Sequence, residues 1–146
     1  MSWRIRQAVL SDLEGLFRID PMAANDAGRR EWIERAVGSF ECWVACEAAD
    51  ESALVGFGCL SRQFFGQWFI ALVMVSSTHR RCGVGQQIVT HLERVTCAGK
   101  IFTSTNASNG PMRQLLTRLG YQASGIVENL DLDDPELIFV KFLSSS

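Results

Sequence analysis

The spacing of apolar and polar residues changes several times along the chain, and each change predicts a new element. Two-residue alternation, or an unbroken apolar run, predicts β-strands. Trp68–Val75 is apolar at every position, which is typical of a central strand covered on both faces. The predicted strands are Trp3–Val9, Glu41–Glu47, Ala53–Arg62, Trp68–Val75, Ile101–Thr105, Tyr121–Glu128 and Leu137–Phe142.

Apolar residues three or four positions apart predict four helices between these strands. The stretch Ser11-Asp12-Leu13-Glu14 has the serine and glutamate of a capping box, so we expect a helix to begin there. Proline opens helices and stops them, and glycine commonly follows their last turn. The predicted helices run from Ser11 to Pro21, over about Asp26–Val37, over about Gly83–Cys97 and from Pro111 to Gly120.

The order of these elements, β-α-α-β-β-β-α-β-α-β-β, predicts a mixed α+β fold with one central sheet of about seven strands and about four helices. The chain has 146 residues, of which 47% are apolar and 21% charged, as expected of one globular domain. No repeat or linker divides it. We therefore expect a single domain over residues 1–143 and a disordered tail at 144–146.

Charge and cysteine content exclude several classes of protein. A net charge of −2 argues against a nucleic-acid binder that depends on a basic face. The longest apolar run, Trp68–Val75, is too short for a membrane span, and no apolar signal segment follows Arg4 and Arg6. The five cysteines form no CxxC pair, which favours reduced thiols in the cytoplasm over a disulfide framework or a metal site.

The segment that leaves Trp68–Val75 carries the strongest chemical signal. A buried strand ends in the basic loop Arg80-Arg81-Cys82-Gly83-Val84-Gly85, where a helix starts. A helix N-terminus has about four unpaired amides and a partial positive charge, and glycine lets an anion approach them. We interpret this cradle loop (Arg80–Gly85) as a phosphate or pyrophosphate site; the alternative is a glycine-rich turn with a solvated arginine pair. Its glycine spacing fits neither a P-loop nor a dinucleotide fingerprint.

The cradle loop resembles the Q/R-x-x-G-x-G/A motif of the GNAT N-acetyltransferases, which bind acetyl-coenzyme A. Asn109-Gly110-Pro111-Met112, followed by Leu115–Tyr121, is similar to the family's N-x-x-A…Y-x-x-x-G-F segment. The predicted element order matches over essentially the whole chain, and the acidic stretch 128–137 resembles small single-domain members. The resemblance implies the GNAT fold and direct transfer of an acetyl group from acetyl-coenzyme A to a primary amine of a small molecule, peptide or protein.

The resemblance also implies roles for individual residues. Met74 and Val75 would pair with the pantetheine arm of the cosubstrate, which Asn109 would also contact. An amide near Val75 would polarise the thioester carbonyl. We expect no metal, and a monomer or homodimer that binds neither nucleic acid nor membrane. The pyrophosphate would be held by the amides of Arg80, Arg81, Cys82, Gly83, Val84 and Gly85.

The sequence departs from the family pattern where acid–base chemistry is expected. Leu116 stands where a tyrosine often protonates the leaving thiolate, and Phe64–Thr78 contains no carboxylate. Glu128 is the first candidate for the base, with an exposed strand-end carboxylate as the alternative; the lone tyrosine, Tyr121, is expected in the core. These departures keep open a non-catalytic acyl-coenzyme A binding or regulatory module, and less strongly a nucleotide-phosphate binding protein.

Two further features have competing interpretations. His79 precedes the cradle loop, where it would contact phosphate or shuttle a proton; the favoured alternative is a surface-loop histidine. The resemblance makes Pro21–Asn25 one wall of the acceptor site. The acidic stretch either attracts a cationic amine or is a solvated loop. Its carboxylates are Glu128, Asp131, Asp133, Asp134 and Glu136.

Overall fold

The computed structural model of the protein describes residues 3–143 and has seven strands. They are β1 (Arg4–Gln7), β2 (Cys42–Glu47), β3 (Asp50–Phe64), β4 (Gln67–Val75), β5 (Lys100–Asn106), β6 (Gln122–Val127) and β7 (Glu136–Phe142). All seven lie in one sheet, in the order β1-β2-β3-β4-β5-β7-β6. The β4–β5 pair is parallel, whereas β1–β2, β2–β3, β5–β7 and β6–β7 are antiparallel. The predicted mixed α+β fold with one central sheet is therefore confirmed.

Four α-helices accompany the sheet within residues 3–143, as predicted. Two of them begin at side-chain caps, since the Asp26 carboxylate accepts a hydrogen bond from the Arg29 amide at 3.2 Å and the Asn109 side chain accepts one from the Met112 amide at 3.2 Å. None of the helices in residues 3–143 is long and apolar enough to cross a membrane. The helices are α1 (Leu13–Ile19), α2 (Ala27–Gly38), α3 (Val84–Val95) and α4 (Gly110–Arg118).

The prediction of a capping box at Ser11 is wrong. A short 3-10 turn, Leu10–Asp12, precedes α1, and the Val9 amide donates to the Asp12 carboxylate at 2.8 Å. Asp12 also accepts hydrogen bonds from both terminal nitrogens of Arg6, at 2.8 and 2.9 Å, and this guanidinium holds the pKa of the Asp12 carboxyl below its usual range. A carboxylate accepts a hydrogen bond from an amide more strongly than a hydroxyl oxygen does. Asp12 therefore binds the amide at the start of this turn, and Ser11 stays exposed.

The predicted turn between β2 and β3 is too long. We expected residues 48–52 to form it, but Glu47 pairs with Asp50, so only Ala48 and Ala49 separate the two strands. The Arg4 guanidinium lies 2.7 Å from the Glu51 carboxylate, and Arg6 donates to the Glu51 carbonyl at 2.8 Å. These contacts with β1 residues explain how acidic residues of low strand propensity extend β3.

Chain contacts divide the described residues into two compact units. The first takes in the chain up to Leu60 together with Leu72–Leu92, and the second takes in Ser61–Ala71 together with the chain from Glu93 onward. The predicted single domain stays a prediction, and the predicted tail, Ser144–Ser146, lies outside the described residues. The division places the end of β4, the cradle loop and most of α3 in the first unit.

The core of the first unit determines where α3 lies. On one side, Leu16 and Ile33 from α1 and α2 are fully buried with Val44 and Phe57 from β2 and β3. In contrast, a Cβ atom added to Gly58 would lie 2.6 Å from Ile88 Cγ2, so the glycine in β3 allows α3 to approach the strand closely. This approach positions the N-terminus of α3 at the end of β4.

In the second unit, β5 pairs with β4 through Phe69–Phe102 and Ile70–Thr103. The Thr103 hydroxyl donates to the Ile70 carbonyl at 2.9 Å. Only Ile70 of β4 is fully buried, and the other residues of the strand are half-buried. The expectation of full cover on both faces is therefore wrong, because an apolar run reports composition and not what packs on each face.

Candidate functional site

The end of β4 is tied to its neighbour before the chain enters the cradle loop. Met74 and Val75 are half-buried and end the strand. The Ser76 amide donates to the Val55 carbonyl at 2.8 Å, and the His79 amide donates to the Ser76 carbonyl at 2.9 Å, within the 3-10 turn Ser77–His79. The approach to the loop is thus held by backbone hydrogen bonds on both sides of the turn.

The cradle loop has the backbone geometry that an anion site requires. Arg81 and Gly83 have φ values of 64° and 88°, so two of four consecutive residues lie in the left-handed region. That region is strained for arginine and is favoured at functional loops. A Cβ atom added to Gly83 would meet nothing within 4 Å, which leaves open space beside its amide. The loop accordingly has room for a ligand against its backbone.

The arginine side chains of the cradle loop face solvent, whereas the residue that starts α3 is buried in the core. Arg80, Arg81 and Cys82 are exposed, whereas Val84 is 1% exposed and starts α3. The Gln87 amide donates to the Gly83 carbonyl at 3.1 Å, which is the first turn of the helix. Helical amides before that point have no partner within the helix. Amides, a helix N-terminus and two guanidinium groups together form a donor set suited to a pyrophosphate.

His79 is half-buried in the 3-10 turn before the cradle loop, so its role as a surface-loop histidine or as a phosphate contact stays a prediction. Its Nδ1 lies 3.0 Å from the Thr78 hydroxyl, which lies 3.1 Å from the Ser76 hydroxyl. Its ring packs edge-on against Trp3 with centroids 5.4 Å apart, and the Trp3 amide donates to Gln87 Oε1 at 3.1 Å. Sequence reasoning missed Trp3 and Gln87, which are 84 positions apart and belong to no shared motif.

The second unit contains the other two predicted site residues. Asn109 is exposed, and its side chain caps α4 through Met112, which is a structural role in addition to the predicted one. Glu128 is exposed and directly follows β6. Leu116 is fully buried. The position where family members often have a tyrosine is therefore core in this protein.

Tyr121 belongs to the core, as expected. It is 6% exposed, and its hydroxyl donates to Glu93 Oε2 at 2.9 Å. Lys141 donates to Glu93 Oε1 at 3.0 Å. Burial, followed by the charge of Glu93, raises the pKa of Tyr121 far above its ordinary value. A phenol held this way is a poor proton donor, which argues against a catalytic role.

The acidic stretch braces the loop between β6 and β7. Asp134 accepts hydrogen bonds from the amide and hydroxyl of Ser108, at 3.0 and 2.6 Å. Asp131 accepts one from the Asn106 side chain at 2.8 Å. These bonds join the β6–β7 loop (residues 128–135) to the last residue of β5 and to the connection between β5 and α4. The Asp131 and Asp134 carboxylates therefore stabilise the conformation of the β6–β7 loop.

The remaining carboxylates of the stretch differ in their surroundings. Glu136, the first residue of β7, accepts a hydrogen bond from the Ser104 hydroxyl at 2.7 Å. Glu128 and Asp133 are exposed and make no hydrogen bond or ion pair with any residue between 3 and 143. Of the five carboxylates in the acidic stretch, only these two have no partner within residues 3–143.

A concavity of about 920 Å³ lies in the first unit. Its lining includes Arg6, Asp12, Leu54 and Ser76, the last of which directly follows Val75 at the end of β4. Arg6 and Asp12 bind each other, as described above, so this pair of charges is neutralised.

Comparison with known proteins gives a consistent family assignment. The sequence matches the model of the acetyltransferase (GNAT) family over residues 4–121. A crystal structure of a GNAT-family acetyltransferase from Bacillus cereus is similar at 30% identity, with 99% of this chain and 100% of that chain covered and a TM-score of 0.88. No curated protein matches the sequence.

Two more distant structures are similar in fold. NAA60 from Arabidopsis thaliana, in complex with a bisubstrate analogue, has 16% identity and a TM-score of 0.81 over 99% of this chain and 100% of its own. The ribosomal-protein-S18-alanine N-acetyltransferase from Escherichia coli has 17% identity and a TM-score of 0.78 over 99% of this chain and 96% of its own.

Proposed function

The chain belongs to the GNAT acetyltransferase family, and from that premise we propose that it transfers the acetyl group of acetyl-coenzyme A directly to a primary amine. The acceptor is an amine of a small molecule, a peptide or a protein. The observation that carries the proposal is the cradle loop, whose exposed arginines and left-handed backbone lie at the N-terminus of α3. Five free cysteines support a cytoplasmic location.

The residues present suit the cosubstrate. The amides of Arg80–Gly85 bind the pyrophosphate, because the open space at Gly83 admits a phosphate oxygen and the guanidinium groups of Arg80 and Arg81 neutralise its charge. Met74 and Val75 pair with the pantetheine arm as an added strand would, and Asn109 contacts the same arm. When bound, acetyl-coenzyme A supplies the activated acetyl thioester.

This chain's own residues orient the reacting groups and move one proton. An amide near Val75 donates to the carbonyl oxygen, where negative charge develops during transfer. Glu128, exposed and uncommitted, takes the proton from the ammonium form of the acceptor. Leu116 has no acidic proton and Tyr121 is buried, so neither protonates the leaving thiolate. Solvent supplies that proton, and the rate depends mainly on positioning.

The test is an acceptor screen with acetyl-coenzyme A, read out by mass spectrometry of the acetylated amines. Thiol reagents are unsuitable for detecting released coenzyme A, since Cys82 and Cys97 are exposed and free. We expect acetylated product only when protein, acetyl-coenzyme A and an amine are all present. Competition by ATP with acetyl-coenzyme A in a thermal-shift assay would instead indicate a nucleotide-phosphate site.

A second function, non-catalytic binding of acyl-coenzyme A, is favoured by two specific observations. Leu116 is fully buried where the family often has a tyrosine, and no carboxylate lies in Phe64–Thr78. A protein of this kind keeps the cradle loop and lacks acid–base groups. It would bind acetyl-coenzyme A in calorimetry and acetylate none of the amines in the screen.

A further inference from the structure

One residue contacts both flanks of the cradle loop. The Trp3 ring packs against His79, directly before the loop, at a centroid distance of 5.4 Å and an interplanar angle of 86°. The Trp3 amide donates a hydrogen bond at 3.1 Å to the side chain of Gln87, which lies in the first turn of α3, two residues after the loop. Residues 80–86 are thus enclosed between two contacts with the residue that precedes β1. Both contacts lie within the first unit.

The loop needs such a restraint. Its residues from Arg80 to Gly83 are exposed, and two of them hold a left-handed backbone that is unfavourable for arginine. Restricting the two ends of a segment reduces the conformations it samples. A loop held in its binding conformation before the ligand arrives binds more tightly, because less entropy is lost on binding.

The contact with His79 is made by the ring itself. The indole N–H of Trp3 is buried and has no acceptor among residues 3–143. On the other side, His79 is oriented by the hydrogen bond between its Nδ1 and the Thr78 hydroxyl. Edge-to-face packing of two rings is favourable beyond the area that it buries. A phenyl ring at position 3 would preserve that packing, since the indole nitrogen contributes no hydrogen bond there.

We propose that Trp3 is a positioning residue for the cradle loop, which it holds in its anion-binding conformation through His79 and Gln87. Trp3 itself does not touch the ligand. The part of this proposal that concerns acetyl-coenzyme A rests on the proposed function. The part that concerns the loop's conformation does not, because it applies to the protein without ligand.

The protein offers a matched control for this proposal. Trp43, from β2, packs against His91 of α3 with ring centroids 6.3 Å apart. It is a second tryptophan–histidine pair, and its histidine lies on α3, beyond the cradle loop. Trp43→Ala therefore removes a comparable aromatic contact without releasing the loop. Trp3→Phe provides the conservative variant at the proposed position.

Affinity for acetyl-coenzyme A is measured by calorimetry on the full chain. We expect Trp3→Ala to raise Kd by roughly three- to tenfold, the effect of losing one aromatic pair. Trp3→Phe should restore Kd to within about twofold, and Trp43→Ala should leave it unchanged even if Tm falls. Should Trp3→Ala fail to fold, His79→Asn breaks the same ring contact while keeping a partner for Thr78, and it should give the same increase.

Hydrogen exchange of the ligand-free protein is the second measurement. Amides 80–86 should exchange faster in Trp3→Ala than in the wild type. Their exchange rates should be unchanged in Trp43→Ala. Equal exchange and equal Kd in Trp3→Ala and Trp43→Ala would overturn the positioning role. If the wild type fails to bind acetyl-coenzyme A, the proposed function is overturned, whereas the exchange of amides 80–86 still decides whether Trp3 holds the loop.

Discussion

The cradle loop and the β6–β7 loop are both exposed and charged, yet they use their charges in opposite ways. Within residues 3–143, the Arg80 and Arg81 guanidinium groups make no hydrogen bond or ion pair. In the β6–β7 loop, Asp131 is bound to the side chain of Asn106 at the end of β5, and Asp134 to the hydroxyl and amide of Ser108. The arginine side chains of the cradle loop therefore have no partner within the described residues, whereas two carboxylates of the β6–β7 loop brace the structure.

The reason lies in what holds each backbone. The cradle loop is held between the turn after β4 and helix α3, and Trp3 contacts a residue on each of its flanks, so its arginine side chains are not needed for structure. The β6–β7 loop contains no helix and is held by hydrogen bonds that Ser108 and Asn106 donate to its carboxylates. Charges that a fold does not use are the ones available to a ligand.

The largest effect expected is the loss of cosubstrate binding in Gly83→Asp. Aspartate places a carboxylate in the space where the phosphates bind, so the rise in Tm that acetyl-coenzyme A causes by mass action should disappear. Gly83→Asn is the matched control, since asparagine has the same shape without the charge and imposes the same backbone strain at a φ of 88°. An unchanged shift in folded Gly83→Asp protein would remove the cradle loop from the proposed site.

The next effect concerns the uncommitted carboxylate at Glu128. Glu128→Gln keeps the shape and removes the base, so turnover should fall by roughly 10²-fold while the affinity for acetyl-coenzyme A is preserved. Asp133→Asn, which neutralises the other uncommitted carboxylate of the loop, should leave turnover at saturating acceptor unchanged. Near-wild-type turnover of Glu128→Gln over a range of pH would leave transfer by positioning and water alone.

A smaller effect would test the bracing of the β6–β7 loop. Asp134→Asn weakens two hydrogen bonds to Ser108, so the free energy of unfolding should fall by about 1 kcal/mol in denaturant titrations. Asp133→Asn should change it by less than about 0.5 kcal/mol, because Asp133 is exposed and asparagine accepts its φ of 57°. If the two variants are equally stable, the contrast between committed and uncommitted carboxylates does not hold.

The smallest effect is electrostatic attraction of the acceptor. Removing the charge of Asp133 should raise the KM for a cationic amine about twofold at low salt, because the field of one exposed charge extends over ~10 Å at 0.1 M. The increase should vanish at high salt, with the KM for acetyl-coenzyme A as the internal control. A best acceptor that is anionic would show that the acidic stretch does not select the substrate.

Much of the fold could be predicted because its signals are local. Helix α4 begins at an Asn109 cap and a proline, and residues within four positions of each other specify that start. The cradle loop was recognisable for the same reason, since its glycines, arginines and helix start are adjacent in sequence. The errors at Ser11 and at Asp50 arose where Arg6, on β1, donates hydrogen bonds to the Asp12 carboxylate and to the Glu51 carbonyl.

The sequence by itself determined the order of elements, the family and the position of the cradle loop, because periodicity, caps and motifs act over a few residues. The tertiary structure alone decided which charges are committed and what holds the loop. Asp131 binds a side chain 25 positions away, and the Trp3 amide binds one 84 positions away. Contacts at such separations depend on how strands and helices pack, so no local pattern in the sequence reports them.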